Sequence, residues 1–190
     1  MPERGNSCSC RGVMVIVMND STDTIVNRVA QSPLISFNLE DYYPRGERVV
    51  YDVKDNLFQE MILRERDFRA FVKEHDWSQY QDQYVALTCS VEAIVPTWAY
   101  MLLTTKLEPY ARRVIFGTLE TLEAVLFQET LQQIDIAQFQ GAKVVIKGCG
   151  DLPVPPFAYT EITRLLRPVA ASIMYGEPCS TVPLYKKPRS

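Results

Sequence analysis

Short apolar runs alternate with longer segments of helical periodicity along most of this chain. Strands are predicted where β-branched and aromatic residues cluster, at 47–53, 84–89, 112–116, 142–149 and 171–176. Helices are predicted at 65–77, 97–107, 119–133 and 156–168, the third of them behind the capping residue Thr118. Strands separated by helices of this length imply right-handed crossovers. The pattern therefore predicts a single α/β domain with a largely parallel sheet covered by helices.

The chain also contains an internal sequence repeat. Residues 95–117 align without a gap on residues 154–176, an offset of 59, with nine identities in 23 positions. The identities include two prolines in each copy and a terminal glycine, which makes chance similarity between two amphipathic helices the weaker explanation. With one residue lost in the preceding loop, the strands that end at Cys89 and Cys149 align at an offset of 60. We interpret the pattern as an internally duplicated βαβ unit, at about 84–117 and 144–176.

Two of the five cysteines lie in the first 20 residues, which show no sustained periodicity. We predict that residues 1–20 form a disordered N-terminal extension and that residues 21–190 form the single domain. Cys8 and Cys10 then belong to the extension, although a Cys-x-Cys pair can also bind metal. An odd number of dispersed cysteines does not indicate a secreted disulfide framework, so reduced thiols are expected.

The other three cysteines, Cys89, Cys149 and Cys179, each follow a predicted strand. If both units lie in one parallel sheet, Cys89 and Cys149 leave equivalent strands at the same edge, ahead of helix N-termini that stabilise thiolates. Cys179 reaches this edge if its strand is also parallel. The sequence thus predicts a three-cysteine site for zinc or an iron-sulfur species, since thiolates prefer soft metals. The alternative is that these cysteines are small buried hydrophobic residues.

Few other residues offer chemistry to this site. Asp151 and Glu177 are candidates for a fourth ligand, or they are solvated loop acids. His75 is the only histidine and is predicted to be solvated or paired with a helix dipole, which argues against a nucleophile–histidine pair. The matched Tyr100 and Tyr159 are predicted core aromatics, and the alternative is that their hydroxyls bond to site sulfurs.

The composition argues against several classes of binding partner. The chain has 190 residues, with 20 basic against 23 acidic residues, and so offers no global field that would attract nucleic acid or an anionic membrane. No apolar run approaches the roughly 20 residues of a membrane-spanning helix, and no glycine-rich phosphate loop is present. We expect a cytoplasmic protein with no nucleic-acid or membrane partner.

Four stretches are similar to one known family: "NLEDYYPRGERVVYD", "HDWSQYQDQYVALTCSVEAIVPTWAYMLL", "VVIKGCGDLPVP" and "SIMYGEPCSTVPLYKK". Over about residues 21–187 the chain resembles the domain-of-unknown-function 2480 family of Bacteroidetes-type bacteria. The family has no established activity. The resemblance implies a bacterial cytosolic protein encoded near iron-sulfur cluster assembly genes, with assembly proteins as partners and Cys89, Cys149 and Cys179 in family-like motifs.

The leading hypothesis is an accessory or carrier protein in iron-sulfur cluster biogenesis, with these three cysteines as metal ligands. A second is a thiol or persulfide-transfer protein in which one cysteine is a nucleophile. The third is a non-catalytic interaction module with structural cysteines. Whether there is catalysis is left open.

Overall fold

The computed structural model describes residues 34–148 and 150–188, which form two separate β-sheets with helices. The strands are β1 (Leu34–Asn38), β2 (Arg48–Asp52), β3 (Tyr84–Thr88), β4 (Arg113–Phe116), β5 (Lys143–Lys147), β6 (Ser172–Glu177) and β7 (Ser180–Lys186). The α-helices are α1 (Glu65–Glu74), α2 (Thr97–Leu107), α3 (Leu119–Gln132) and α4 (Pro156–Leu166). Four 3-10 helices lie at Leu39–Tyr42, Val53–Asn56, Trp77–Tyr80 and Ile136–Phe139. The α/β class is confirmed.

The three-stranded sheet has the order β2-β3-β4 and is parallel throughout. The four-stranded sheet has the order β1-β5-β6-β7, parallel except for the antiparallel β6–β7 pair. We call each sheet with its helices the three-stranded half and the four-stranded half. The premise that both repeated units share one sheet is therefore wrong, because β3 and β5 belong to different sheets.

The duplication is confirmed in the backbone. β3 and β5 begin at residues 84 and 143, and α2 and α4 at 97 and 156, a separation of 59 in both cases. The register repeats too: Tyr84 lies opposite Arg113, and Lys143 lies opposite Ser172. The offset of 60 for the strands is wrong, so the counterpart of Cys89 is Gly148. The repeat also includes β1 and β2, which pair with β5 and β3 in matching register, 14 residues apart.

Helix α3 lies between the two halves. Its Leu122 and Leu126 pack on Ala86 and Ile115 of the three-stranded sheet. Its Phe127 and Leu131 lie in the core of the four-stranded half, with residues of β1, β5, β6 and α4. Thr118 accepts a hydrogen bond from the Thr121 N–H and so caps the helix as predicted. One helix thus contributes apolar side chains to both halves.

Two strands escaped the sequence prediction. These are β1 and β7, and β7 contains Pro183, where a proline-punctuated tail was expected. Proline is tolerated because β7 is an edge strand, paired only with β6. Residues 1–33, including Cys8, Cys10 and the predicted extension, lie outside the described residues, as does Cys149. Within the described part of the chain, no helix has both the length and the apolar character needed to span a bilayer.

The position of α3 predicts that the halves unfold together. Leu131→Ala, on the face toward the four-stranded half, should lower the free energy of unfolding by about 2–5 kcal/mol. Both tryptophans, Trp77 and Trp98, lie in the three-stranded half. Their fluorescence in a urea titration should nonetheless report the full loss of stability.

Leu119→Ala is the control, since Leu119 lies on the same helix but is exposed, and a change under about 0.5 kcal/mol is expected. A tryptophan transition that stays at its wild-type midpoint in Leu131→Ala, while circular dichroism shows earlier partial unfolding, would mean that the halves are independent.

Candidate functional site

A polar cavity of about 410 Å³ lies at the carboxyl edge of the four-stranded sheet. Parallel α/β sheets commonly bind ligands at this edge. Its lining comes from the ends of β1, β5 and β6 and from the loops that follow them: Asn38, Glu40, Lys147, Gly148, Gly150, Tyr175, Gly176 and Glu177. The last residues of three parallel strands therefore line one cavity.

The local sequence holds the walls in place. Asn38 ends β1, and its side chain accepts a hydrogen bond from the Glu40 N–H, which starts the 3-10 helix Leu39–Tyr42. This turn aims the Glu40 carboxylate at the loop after β5, where it accepts a hydrogen bond from the Gly150 N–H. A Cβ at position 150 would lie 2.6 Å from a Glu40 carboxylate oxygen, so a larger residue there would displace the Glu40 side chain.

A tyrosine of α4 fixes the start of the loop after β5. The Tyr159 hydroxyl donates a hydrogen bond of 2.7 Å to the Gly148 carbonyl. Tyr159 also packs edge-on against Tyr175, with ring centroids 5.9 Å apart. In the other half Tyr100 packs in the same way against Phe116. Both tyrosines pack on the cores of their halves, as predicted.

The charges at the cavity are mixed. The Lys147 Nζ lies 3.7 Å from a Glu177 carboxylate oxygen, and Glu40 adds a second carboxylate. Two acidic groups, one ammonium group and the backbone of the glycine-containing loop after β5 can therefore bind a polar ligand or help to hold a cation.

The predicted cysteines are divided between the halves. Cys179 is exposed in the two-residue turn between β6 and β7, two positions after Glu177. Cys149 lies outside the described residues, but its chain neighbours Gly148 and Gly150 both line the cavity. Cys89 follows β3 in the other sheet, where it is partly buried and its thiol donates to the Val91 carbonyl at 3.3 Å.

The contacts between the halves show which end of β3 lies near the cavity, and Cys89 is at the other end. The Arg48 guanidinium lies over the rings of Tyr43 and Tyr84, at 4.6 and 5.2 Å from their centroids. Tyr43 follows the Glu40 turn, to which its N–H donates, whereas Tyr84 is the first residue of β3. The cavity edge of one sheet is thus near the amino edge of the other. Cys89 is at the opposite end of β3, about 16 Å further along the strand.

Metal binding has limited support in this geometry. Among residues 34–148 and 150–188, no three or more histidine, cysteine, aspartate or glutamate side chains are grouped so that they could hold a metal ion. Asp151 is an exposed residue beside the cavity loop, and Glu177 pairs with Lys147. The three-cysteine site stays a prediction, because its test requires Cys149.

The surroundings of Cys89 contain Tyr100 and Asp52. Burial, and then the nearby Cys89 and Asp52, raise the pKa of Tyr100. Partial burial would raise the pKa of Asp52, but hydrogen bonds from Ser90 and from the Lys54 N–H outweigh it and hold that pKa below its usual value. Asp52 accepts these bonds at 3.1 and 3.0 Å. It therefore ties the loop after β3 to β2, as Glu40 ties the equivalent loop to β1.

Sequence reasoning missed Asn38, Glu40 and Lys147. The usable signal was their position, since each directly follows or ends a strand, but β1 was not predicted and Lys147 was placed inside a strand. His75 was predicted to be solvated or paired with a helix dipole. It is the partly exposed C-cap residue of α1, and its ring also packs among aromatic side chains, 4.5 Å from the Trp77 ring and 4.8 Å from the Phe71 ring.

A family model described as "Protein of unknown function (DUF2480)" matches residues 23–187. The chain belongs to this family. The DUF2480 match spans β1 to β7 and so includes both halves and the cavity. The resemblance stated for residues 21–187 is confirmed. No curated protein and no solved structure matches the chain.

The contact between Tyr159 and Gly148 gives a testable prediction. Tyr159→Phe removes the hydroxyl group that donates a hydrogen bond to the Gly148 carbonyl. The free energy of unfolding should therefore fall by about 1 kcal/mol. Backbone amide exchange in the loop of residues 148–152 should accelerate. Tyr100→Phe is the matched control at the equivalent position and should leave that loop unchanged. Equal exchange in both variants would show that the bond does not hold the loop.

Proposed function

We propose that this chain is an accessory or carrier protein that binds zinc or an iron-sulfur species at the carboxyl edge of the four-stranded sheet, with Cys149 and Cys179 as its principal ligands. The partners would be iron-sulfur cluster assembly proteins. The observation that carries the proposal is the polar cavity, since the neighbours of Cys149 line it and Glu177, two positions before Cys179, lines it as well.

The chemistry of this edge is suitable for a soft metal. Two thiolates leave a four-coordinate ion two ligands short, and Glu40, Glu177 or Asp151 can supply a carboxylate oxygen. The exposed turn that carries Cys179 is accessible to a partner protein, as transfer of a metal or cluster requires.

Cys89 distinguishes two forms of the proposal. The sequence predicts it as a third ligand, but it follows a strand of the other sheet, so we favour a site without it. In this form Cys89 is a structural residue next to Tyr100 and Val95, which pack on the same core.

The experiment is anaerobic purification followed by metal analysis and absorption spectroscopy of the wild type and of single Cys→Ser variants. We expect stoichiometric metal in the wild type and a loss of at least about tenfold in Cys149→Ser and in Cys179→Ser. Cys89→Ser is the matched control and should keep its metal.

Metal loss in all three variants would restore the three-cysteine site, and a metal-free wild type prepared under anaerobic conditions would contradict the proposal. Unchanged melting temperatures show that a loss of metal is not a loss of fold.

Thiol or persulfide transfer is the second candidate, and the exposure of Cys179 favours it. In such a step the Cys179 thiolate attacks the outer sulfur of a persulfide donor, and the donor leaves as a thiolate. Metal-free protein should then contain one thiol that alkylates much faster than free cysteine, and Cys179→Ser should remove it. Slow and equal alkylation of all thiols would instead favour a non-catalytic interaction module with structural cysteines.

A further inference from the structure

A second pocket, of about 330 Å³, lies beside the edge strand β2 in the three-stranded half. Aromatic rings and carboxylates both line it, and the members that matter here are Tyr51, Phe71, His75, Tyr80, Asp52 and Asp55. The proposed metal site is in the other half, so this pocket is separate from it.

The rings form one packed group. His75 lies 6.0 Å from Tyr80 in a stacked arrangement and 6.4 Å from Tyr51 edge-on. Tyr51 is stacked on Trp77 at 6.0 Å. The Trp77 indole N–H is fixed by the Val72 carbonyl at 3.0 Å, and the Tyr51 hydroxyl donates to Asn56 at 2.9 Å. These two bonds fix the orientations of the Tyr51 and Trp77 rings.

The duplication supplies an internal comparison. The repeat offset of 59 relates Trp77 and Tyr80 to Ile136 and Phe139, and the offset of 14 relates Tyr51 to Phe37. In the four-stranded half these positions pack as a closed apolar core, which Tyr42 covers by stacking on Phe37 at 4.7 Å.

In the three-stranded half the counterpart of Tyr42 is Asn56, and His75 replaces Ile134. The repeated fold therefore does not need polar rings or an open pocket at this place. In the four-stranded half apolar side chains fill this space. In the three-stranded half the space is an open pocket, and its lining groups can bind a ligand.

The charge at the pocket is negative. Asp52 and Asp55 line it, and no lysine or arginine is among its lining residues. The Lys54 Nζ lies 3.6 Å from an Asp52 carboxylate oxygen, and its side chain is partly exposed. Asp52 is fixed by two backbone N–H groups, so its carboxylate stays in place beside the rings.

We propose that this pocket binds a small organic ammonium ion, of about the size of choline. Aromatic rings attract such ions through their negative faces, and the two carboxylates supply the opposite charge. A bare divalent cation is a poorer fit, because calcium and magnesium need about six oxygen ligands and the described residues supply no such group here.

The test is saturation-transfer NMR on the full chain with choline as the probe. We expect saturable binding of choline, and binding at least about tenfold weaker for its neutral isostere, in which a tert-butyl group replaces the trimethylammonium group. Sodium chloride at the same concentration controls for ionic strength.

Two variants probe the pocket. Asp52→Asn removes the charge but keeps the cap, since Asn38 caps the equivalent turn in the other half, and should weaken choline binding about fivefold. Tyr80→Leu removes a ring and should weaken it by at least about fivefold. Asp82→Asn and Tyr110→Leu are the matched controls, because both residues lie in the same half outside the pocket, and they should bind choline as the wild type does.

Equal binding of choline and its neutral isostere would overturn the proposal, as would choline binding that survives both pocket variants. No saturable choline binding by the wild type would overturn it as well. Melting temperatures of all variants separate a lost pocket from a lost fold.

Discussion

The burial of helix α3 on two sides is the constraint on which the rest of the structure depends. Leu122 and Leu126 are covered by the three-stranded sheet, and Phe127 and Leu131 by the core of the four-stranded half. Each sheet has only three or four short strands, and so small a sheet needs helices on it to bury enough apolar surface. Because the halves share this helix, neither has a complete core alone, and the relative position of their edges is fixed.

Fixed edges allow the two copies to specialise. The same strand register is kept in both halves. In each half an acidic side chain at or just after the end of the first strand accepts a hydrogen bond from the loop after the neighbouring strand: Glu40 from the loop after β5, and Asp52 from the loop after β3. Around this shared frame the side chains differ. One copy has a polar cavity between its strand ends and a filled aromatic core, and the other has an open pocket of rings and carboxylates beside its edge strand. This difference is why separate ligands are proposed for the two halves.

Much of this fold could be predicted from the sequence. The periodicity of residues 119–133 and the matched prolines at 96 and 155 identified α3 and the repeat, because amphipathic spacing and proline position are local properties. The partner of a strand is not local. Val85 and Val144 have the same pattern in sequence and are both fully buried, yet they belong to different sheets. The one-residue error at Cys89 has a similar cause, since either Gly148 or Cys149 can follow the apolar run, and only the ladder registers decide. The aromatic group around His75 could not be predicted, because its rings come from β2, α1 and a 3-10 helix that only the folded chain brings together.

The proposed function divides the thiols between two places. We propose that Cys149 and Cys179 lie at the cavity edge of the four-stranded half, whereas Cys89 follows the carboxyl end of β3 in the other sheet. Short bifunctional maleimides, applied to chains that retain only two of the five cysteines, measure this division directly. The account predicts that a cross-linker spanning about 8 Å joins Cys149 to Cys179 in high yield and does not join Cys89 to Cys179. Efficient cross-linking of Cys89 to Cys179 by the same reagent would contradict it.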